Sequence, residues 1–115
     1  MEQDVIYKLE FKVWVSLLRK KMSLGHSTKL EILGDSMFPT LKKGDVVSVS
    51  FCKAEDIKEG TIIIFHHWPN NLTIHRVVEI HKCGGKIIYK TQGDNNPVPD
   101  NYDVMYSEII GVVSL

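Results

Sequence analysis

Three polar segments of this 115-residue chain carry residue types that together can perform acyl transfer. The first is Gly34-Asp35-Ser36-Met37-Phe38-Pro39-Thr40-Leu41. Its serine follows the apolar stretch Leu30-Glu31-Ile32-Leu33 and precedes a turn stiffened by Pro39. A hydroxyl presented with so little freedom suits nucleophilic attack. Gly34 lets another backbone approach closely, and the turn can aim the Ser36 N–H at a developing oxyanion. The plain alternative is a turn in which Asp35 or Ser36 caps its own backbone.

A serine hydroxyl needs a base, and five histidines are available. His75 lies inside the β-like run Leu72 to Ile80, beside Arg76, Val77 and Val78. An imidazole placed mid-strand is costly unless hydrogen-bonded, and it titrates near neutral pH. His66 and His67 border a turn and are expected at a solvated hairpin end. His26 falls in a linker and His81 at a strand end. Zinc held by His66, His67 and His75 lacks a carboxylate or cysteine at ligand spacing, so no metal and no other cofactor is expected. The third segment, Thr91 to Asp100 (TQGDNNPVPD), is too long and stiff for a simple turn. Either Asp94 or Asp100 can orient the imidazole and stabilise its cation. Asx-turns within the loop are the plain alternative.

The elements that must position these groups are legible in the pattern. Residues 3 to 22 lack Gly and Pro, and place Leu9, Val13 and Leu17 with Ile6 and Met22 near helical spacing. They predict one amphipathic helix ending near Gly25, with basic residues in its last turn. From Lys29 onward the β-branched runs LEIL, DVVSVSF, TIIIFHH, LTIHRVVEIH, KIIYKTQ and EIIGVVS alternate with turn chemistry. CGGK and WPNN read as hairpin turns. The expected fold is mainly β, a small coiled antiparallel sheet or open barrel with one N-terminal helix packed outside or docked elsewhere. The helix and its linker occupy residues 1–28, and the β domain residues 29–115.

Composition narrows the partners. Fourteen basic and fourteen acidic residues cancel, so no global field marks nucleic acid or an anionic membrane. No apolar run approaches the roughly 20 residues that span a bilayer, which leaves membrane association peripheral at most. Cys52 and Cys83 stand outside any CxxC pair and read as reduced thiols in a cytoplasmic protein.

Taken together, the segments resemble type I signal peptidases, in the archaeal and endoplasmic-reticulum branch that uses histidine as base. The resemblance covers about residues 31 to 114. GDSMFPTL is similar to the nucleophile box, KKGDVVSV to the strand after it, and KEGTIIIF to the next box, with Thr61 where the family usually has Asp. LTIHRVVEI is similar to the base box and TQGDNNPVPD to the acid box. Four boxes in order are specific where each alone is weak.

Carried over, the resemblance implies Ser36 as nucleophile, His75 as base, Asp100 as triad acid and Asp94 as a supporting aspartate. Gly34, Met37 and Pro39 would flank the oxyanion and substrate site. Many relatives carry a serine at the position of Gly34, so the oxyanion hole here would rest on backbone N–H groups. The expected activity is that of a serine endopeptidase cutting a leader or signal-type peptide bound as an extended strand. The membrane anchor expected before the nucleophile box is absent from this sequence. That shifts the expected substrate toward a cytoplasmic leader of a ribosomally made peptide, with a maturation enzyme or transporter as partner. Two alternatives share the fold: a self-cleaving domain like LexA or a phage repressor, and a catalytically silent binding module. The first uses a lysine base, where this chain has the pair His75-Arg76.

Overall fold

The β-branched runs become strands wherever alternate residues can be buried. The computed structural model describes residues 2–67 and 71–114, with side chains from Val13 onward. A helix, α1 (Glu2–Ser23), precedes β1 (Thr28–Glu31), β2 (Val46–Ser50), β3 (Ile62–His67), β4 (Asn71–Cys83), β5 (Lys86–Gln92), β6 (Val104–Met105) and β7 (Ile109–Ser114). Single 3-10 turns at Ala54–Asp56 and Tyr106–Glu108 join them. The strands form one antiparallel sheet in the order β1-β2-β7-β3-β4-β5-β6, which does not close into a barrel.

The longest strand, β4, serves two neighbours. Its first half pairs with β3 (Ile63↔His75, Phe65↔Thr73), and its second half with β5, beginning at Arg76↔Gln92. The register with β5 shifts between Val77 and Glu79, and such an irregularity bends a strand and increases its twist. His75 therefore stands at the handover between two pairings. The CGGK turn is present, with Cys83↔Lys86 as the last pair and both glycines at positive φ (57° and 81°). The WPNN turn spans residues 68–71, of which 68–70 lie outside the described residues; its last residue, Asn71, pairs with His67.

Two expectations about boundaries and faces need correction. LEIL was expected to be a strand, but β1 begins and ends two residues earlier, at Thr28 and Glu31. Of the expected helical stripe Met22 is buried, but Val13 and Leu17 are exposed; Val15 and Leu18 join Met22 against Val49, Ile64 and Ile110. Residues 15, 18 and 22 also recur at helical spacing, so the sequence offers two faces and the sheet selects one. Arg19 fixes the choice from the side, donating to the carbonyls of Ser107 (2.5 Å) and Tyr106 (3.2 Å). Gly25, at φ 94°, ends the helix near the expected place. No described helix is long and apolar enough to cross a membrane.

The opposite side of the sheet buries Phe65, Val77 and Tyr89. A third cluster, Ile32, Met37, Leu41 and Val47, pins the segment after β1 to the sheet. The turn holding Ser36 thus has an apolar anchor on each side, at Ile32 and at Met37.

Candidate active site

Ser36 sits in the turn between β1 and β2, and its neighbours hold it from both sides. Met37 and Leu41 are buried, and the Phe38 N–H donates to the Asp35 carbonyl (3.1 Å). The acid loop clasps the same turn: Asn95 N donates to the Ser36 carbonyl (2.8 Å), and Asn95 Nδ2 to the Asp35 carbonyl (3.2 Å). Among the described residues no acceptor takes the Ser36 N–H.

The Ser36 hydroxyl meets a polar chain. His75 Nε2 lies 3.2 Å from Ser36 Oγ, and His75 Nδ1 lies 2.6 Å from Asp100 Oδ2. The imidazole is buried, at 7% exposure for the residue. With Nδ1–H donated to the carboxylate, Nε2 is left as the lone-pair nitrogen facing the hydroxyl. Asp100 Oδ2 also accepts from the fully buried Thr91 hydroxyl (2.7 Å), and the Asp100 N–H donates to the Thr91 carbonyl (2.8 Å). One strand-end threonine therefore holds the aspartate by side chain and backbone together.

Asp94 has a separate position. Its carboxylate is gripped by the Arg76 guanidinium through Nε to Oδ1 (2.9 Å) and Nη2 to Oδ2 (2.7 Å), and Thr40 Oγ1 donates to Oδ2 (2.6 Å). Arg76 Nη1 reaches on to the Gly60 carbonyl (2.8 Å). This clamp ties the serine turn, β4, the acid loop and the segment before β3. Hydrogen bonding to Arg76 holds the Asp94 carboxyl below the usual carboxylate range, and Asp94 in turn raises the guanidinium. Of the two aspartates left open by spacing, Asp100 touches the imidazole and Asp94 touches the arginine.

A cavity of about 580 Å³ opens beside Ser36 and His75. Gly34 and Met37 line it, along with Leu33, Ile74 and Tyr102; Pro39 is exposed and does not. Its two long walls are strand edges. Ile32 bonds back toward β2, its N–H to Asp45 (2.8 Å) and its carbonyl from Gly44 (2.8 Å). By strand alternation the backbone groups of Glu31 and Leu33 therefore point into the opening. On the other side Val77 bonds toward the β3 side, through Thr61 (2.8 Å) and Gly60 (2.7 Å). The backbone groups of Leu72 and Ile74 face away from β3, and β5 begins its pairing only at Arg76.

His66 and His67 were expected at a solvated hairpin end. Both are half-buried, and His67 stacks on Tyr102 with ring centroids 4.5 Å apart. Among the described residues no group of histidine, cysteine and carboxylate side chains is arranged to hold a metal ion. Cys52 is buried, Cys83 is exposed, and both are free thiols.

A family model for Peptidase S24-like proteins matches residues 11–113. The chain belongs to the Peptidase S24-like family. It is also similar to curated signal peptidases. Signal peptidase I W of Bacillus subtilis is 32% identical over 81 residues, which cover 70% of this chain and 42% of that protein. The signal peptidase complex catalytic subunit SEC11 of Scheffersomyces stipitis is 30% identical over 96 residues, 83% of this chain and 56% of the relative. The human subunit SEC11C is 31% identical over 90 residues, 76% of this chain and 46% of the relative. The chain thus spans about half the length of the curated relatives it matches. In this S24-like chain the matched region takes in both the sheet and the second half of α1.

Several residues at the site were not singled out in the sequence. Thr91 and Gly93 both follow Tyr89 on the buried face of β5 and its extension, so strand alternation carries a signal for them. Gly93 matters because a Cβ there would stand 2.6 Å from the Ser36 carbonyl oxygen and 3.0 Å from His75 Nε2. Arg76, Thr40 and Tyr102 act through contacts across 18 residues or more, or through a loop, and no local spacing announces them.

Proposed function

We propose that this chain is a serine endopeptidase that cleaves a leader or signal-type peptide, with Ser36 as nucleophile, His75 as general base and Asp100 as the acid that orients it. The observation that carries the reading is the continuous contact Ser36 Oγ–His75 Nε2–Asp100 Oδ2 at 3.2 and 2.6 Å, opening on the cavity. Family membership and the similarity to signal peptidases support it independently.

The chemistry follows from those atoms. Ser36 Oγ attacks the scissile carbonyl carbon while its proton passes to His75 Nε2, and Asp100 stabilises the resulting imidazolium. The tetrahedral oxyanion takes the Ser36 N–H as one donor. His75 then hands its proton to the leaving amine as the C–N bond breaks, giving an acyl-enzyme. A water activated by the same nitrogen releases the acid product and restores the serine hydroxyl. Asp94 holds the pieces in place through Arg76 and Thr40 without meeting the reacting atoms.

Backbone groups of Glu31 and Leu33 on one wall, and of Leu72 and Ile74 on the other, suit a peptide lying between them as an added strand. Main-chain pairing would supply affinity, and side-chain pockets specificity. The apolar lining suits an apolar residue beside the cut, and the signal-peptidase resemblance favours a small one. We take the leader of a ribosomally made peptide as substrate, presented with the help of a maturation enzyme or transporter.

A fluorophosphonate probe tests the core of the proposal. Wild type should be labelled at Ser36, and Ser36→Ala and His75→Ala should not. A folded wild type that resists acylation would leave a binding module in place of an enzyme.

A further inference from the structure

One polar side chain on the cavity wall stands beside the reacting atoms with its amide uncommitted. Asn96 lines the cavity together with Ser36 and His75, and is half-buried. Its backbone is fixed: the Asn96 N–H donates to the Gly93 carbonyl (2.9 Å), and Gln92 Nε2 donates to the Asn96 carbonyl (2.8 Å). Among the described residues its side-chain amide makes no hydrogen bond, and neither amide atom is closed off from solvent. The surroundings of Gly93 place that amide. The point where a Cβ on Gly93 would stand lies 2.7 Å from Asn96 Nδ2, 3.0 Å from His75 Nε2 and 2.6 Å from the Ser36 carbonyl oxygen. Asn96 Nδ2 and the base nitrogen therefore flank the same glycine.

The side of the reaction that this amide serves follows from the order of events. The oxyanion turns toward the Ser36 N–H. The leaving amine stands beside His75 Nε2, which gives it the proton. Once the amine departs, the hydrolytic water takes the same place, because Nε2 is again the base. One proton of that water goes to Nε2, and one lone pair of its oxygen must face the acyl carbon. The remaining lone pair can accept from Asn96 Nδ2–H, and that bond aims the first.

We propose that Asn96 is a catalytic residue of the second half-reaction, holding the hydrolytic water between its side-chain amide and His75 Nε2. The water oxygen attacks the carbonyl carbon of the Ser36 ester while its proton passes to Nε2. The C–Oγ bond then breaks, Ser36 Oγ recovers that proton from His75, and the carboxylic acid product leaves. The first half-reaction makes no such demand. Ser36 Oγ is already held 3.2 Å from Nε2 by the fold, whereas the water arrives from solvent and has to be oriented. Asn95 shows the contrast within the same loop: its Nδ2 is engaged with the Asp35 carbonyl (3.2 Å) and holds the serine turn. Of the two neighbouring amides, only that of Asn96 is left to meet a water.

This role rests on the triad reading, and separating the two half-reactions tests each. The probe is a p-nitrophenyl ester of a short acyl chain, mixed with the full-length protein in excess. Release of nitrophenolate reads acylation, and the decay of the acyl-Ser36 mass in intact protein reads deacylation. Asn96→Ala should acylate within about twofold of wild type and hold its acyl group roughly tenfold longer, the scale of one hydrogen bond. The pH profile of acylation, which reads His75, should stay where it is. An acyl-Ser36 that disappears from Asn96→Ala as fast as from wild type overturns the role. So does a variant slowed equally in both steps, or one whose acylation profile moves, since either marks Asn96 as a support for His75 and the loop. A folded wild type that releases no more nitrophenolate than Ser36→Ala overturns the peptidase reading, and the role of Asn96 falls with it.

Discussion

Gly93 lies flat against His75, so close that a methyl group on its Cα would stand 3.0 Å from the imidazole Nε2 and 2.6 Å from the Ser36 carbonyl oxygen. The bare backbone is what lets the loop 93–100 close over the Ser36 turn. Gly93→Ala should therefore force Ser36 and His75 apart. We expect a loss of about 1–3 kcal/mol in stability from overpacking, and about a hundredfold slower acylation of Ser36 from misplaced reacting atoms. Gly34→Ala is the control for packing: the close backbone approach suggested by its sequence context is not there, and a Cβ at Gly34 meets nothing within 4 Å. Denaturation of both variants and probe labelling of Gly93→Ala beside wild type decide the matter; equal stability of the two variants with wild-type labelling of Gly93→Ala would sink the argument.

The two aspartates should part company on activity. Asp100 contacts His75 at 2.6 Å, whereas Asp94 contacts Arg76. Asp100→Asn should cost on the order of 10³–10⁴ in kcat, by analogy with the orienting aspartate of serine proteases, and leave the fold in place. Asp94→Asn should lose less activity and more stability. Steady-state kinetics beside urea melts checks this, and a fully active Asp100→Asn protein would remove Asp100 from the site.

The Asp94 clamp also predicts a pH dependence. Its carboxyl titrates lower in the folded protein than in the unfolded chain, chiefly through the bond to Arg76. The stabilisation it contributes is thus complete above the unfolded value of about 3.9. It disappears as the pH falls through the lower folded value. Asp94→Asn should be about 2 kcal/mol less stable than wild type near neutral pH, with the gap narrowing in the acid range below pH ~4. A gap that stays constant between neutral pH and that range would contradict the assignment.

Adjacent leucines on the helix should behave oppositely. Leu18 is buried at 8% exposure and Leu17 is exposed at 63%. Leu18→Ala should cost about 2–5 kcal/mol, and Leu17→Ala within about 0.5 kcal/mol of nothing. Thermal unfolding of the two single variants tests which face of the helix the sheet takes.

Legibility in the sequence tracked the range of the interaction. Period-two burial is local, so β2, β3, β4, β5 and β7 lie close to where the apolar runs suggested. Strand β6 has two residues and is held by pairing with β5 at Tyr89↔Val104; nothing so short carries a pattern. The helix face was read correctly at Met22 but not at Val13 and Leu17, because 13/17 and 15/18/22 both satisfy helical spacing and only the sheet beneath distinguishes them. At the site, Ser36, His75 and the two aspartates were visible as residue types in a known order of motifs. Their division of labour came only from the family resemblance; residue types and spacing left it open, because it depends on whether Arg76 or His75 stands nearest each carboxylate. The tight fit at Gly93 escaped for the same reason: its close approach to Ser36 and His75 exists only once distant segments meet.

The sheet order itself has a consequence for when such a site could act. The serine turn follows β1 at one edge of the sheet, and His75 belongs to β4, four places away in the order β1-β2-β7-β3-β4-β5-β6. Only the coiling of the whole sheet brings their atoms to 3.2 Å, across 39 residues of chain. Contacts of that separation require the intervening loops to be closed first. A nascent or partly unfolded chain therefore holds Ser36 and His75 without the contact between them. The strand β7, near the end of the chain, supplies the link between β2 and β3. On the proposed reading, completion of the sheet is a built-in latch that would pair Ser36 with His75 only after the chain has finished folding.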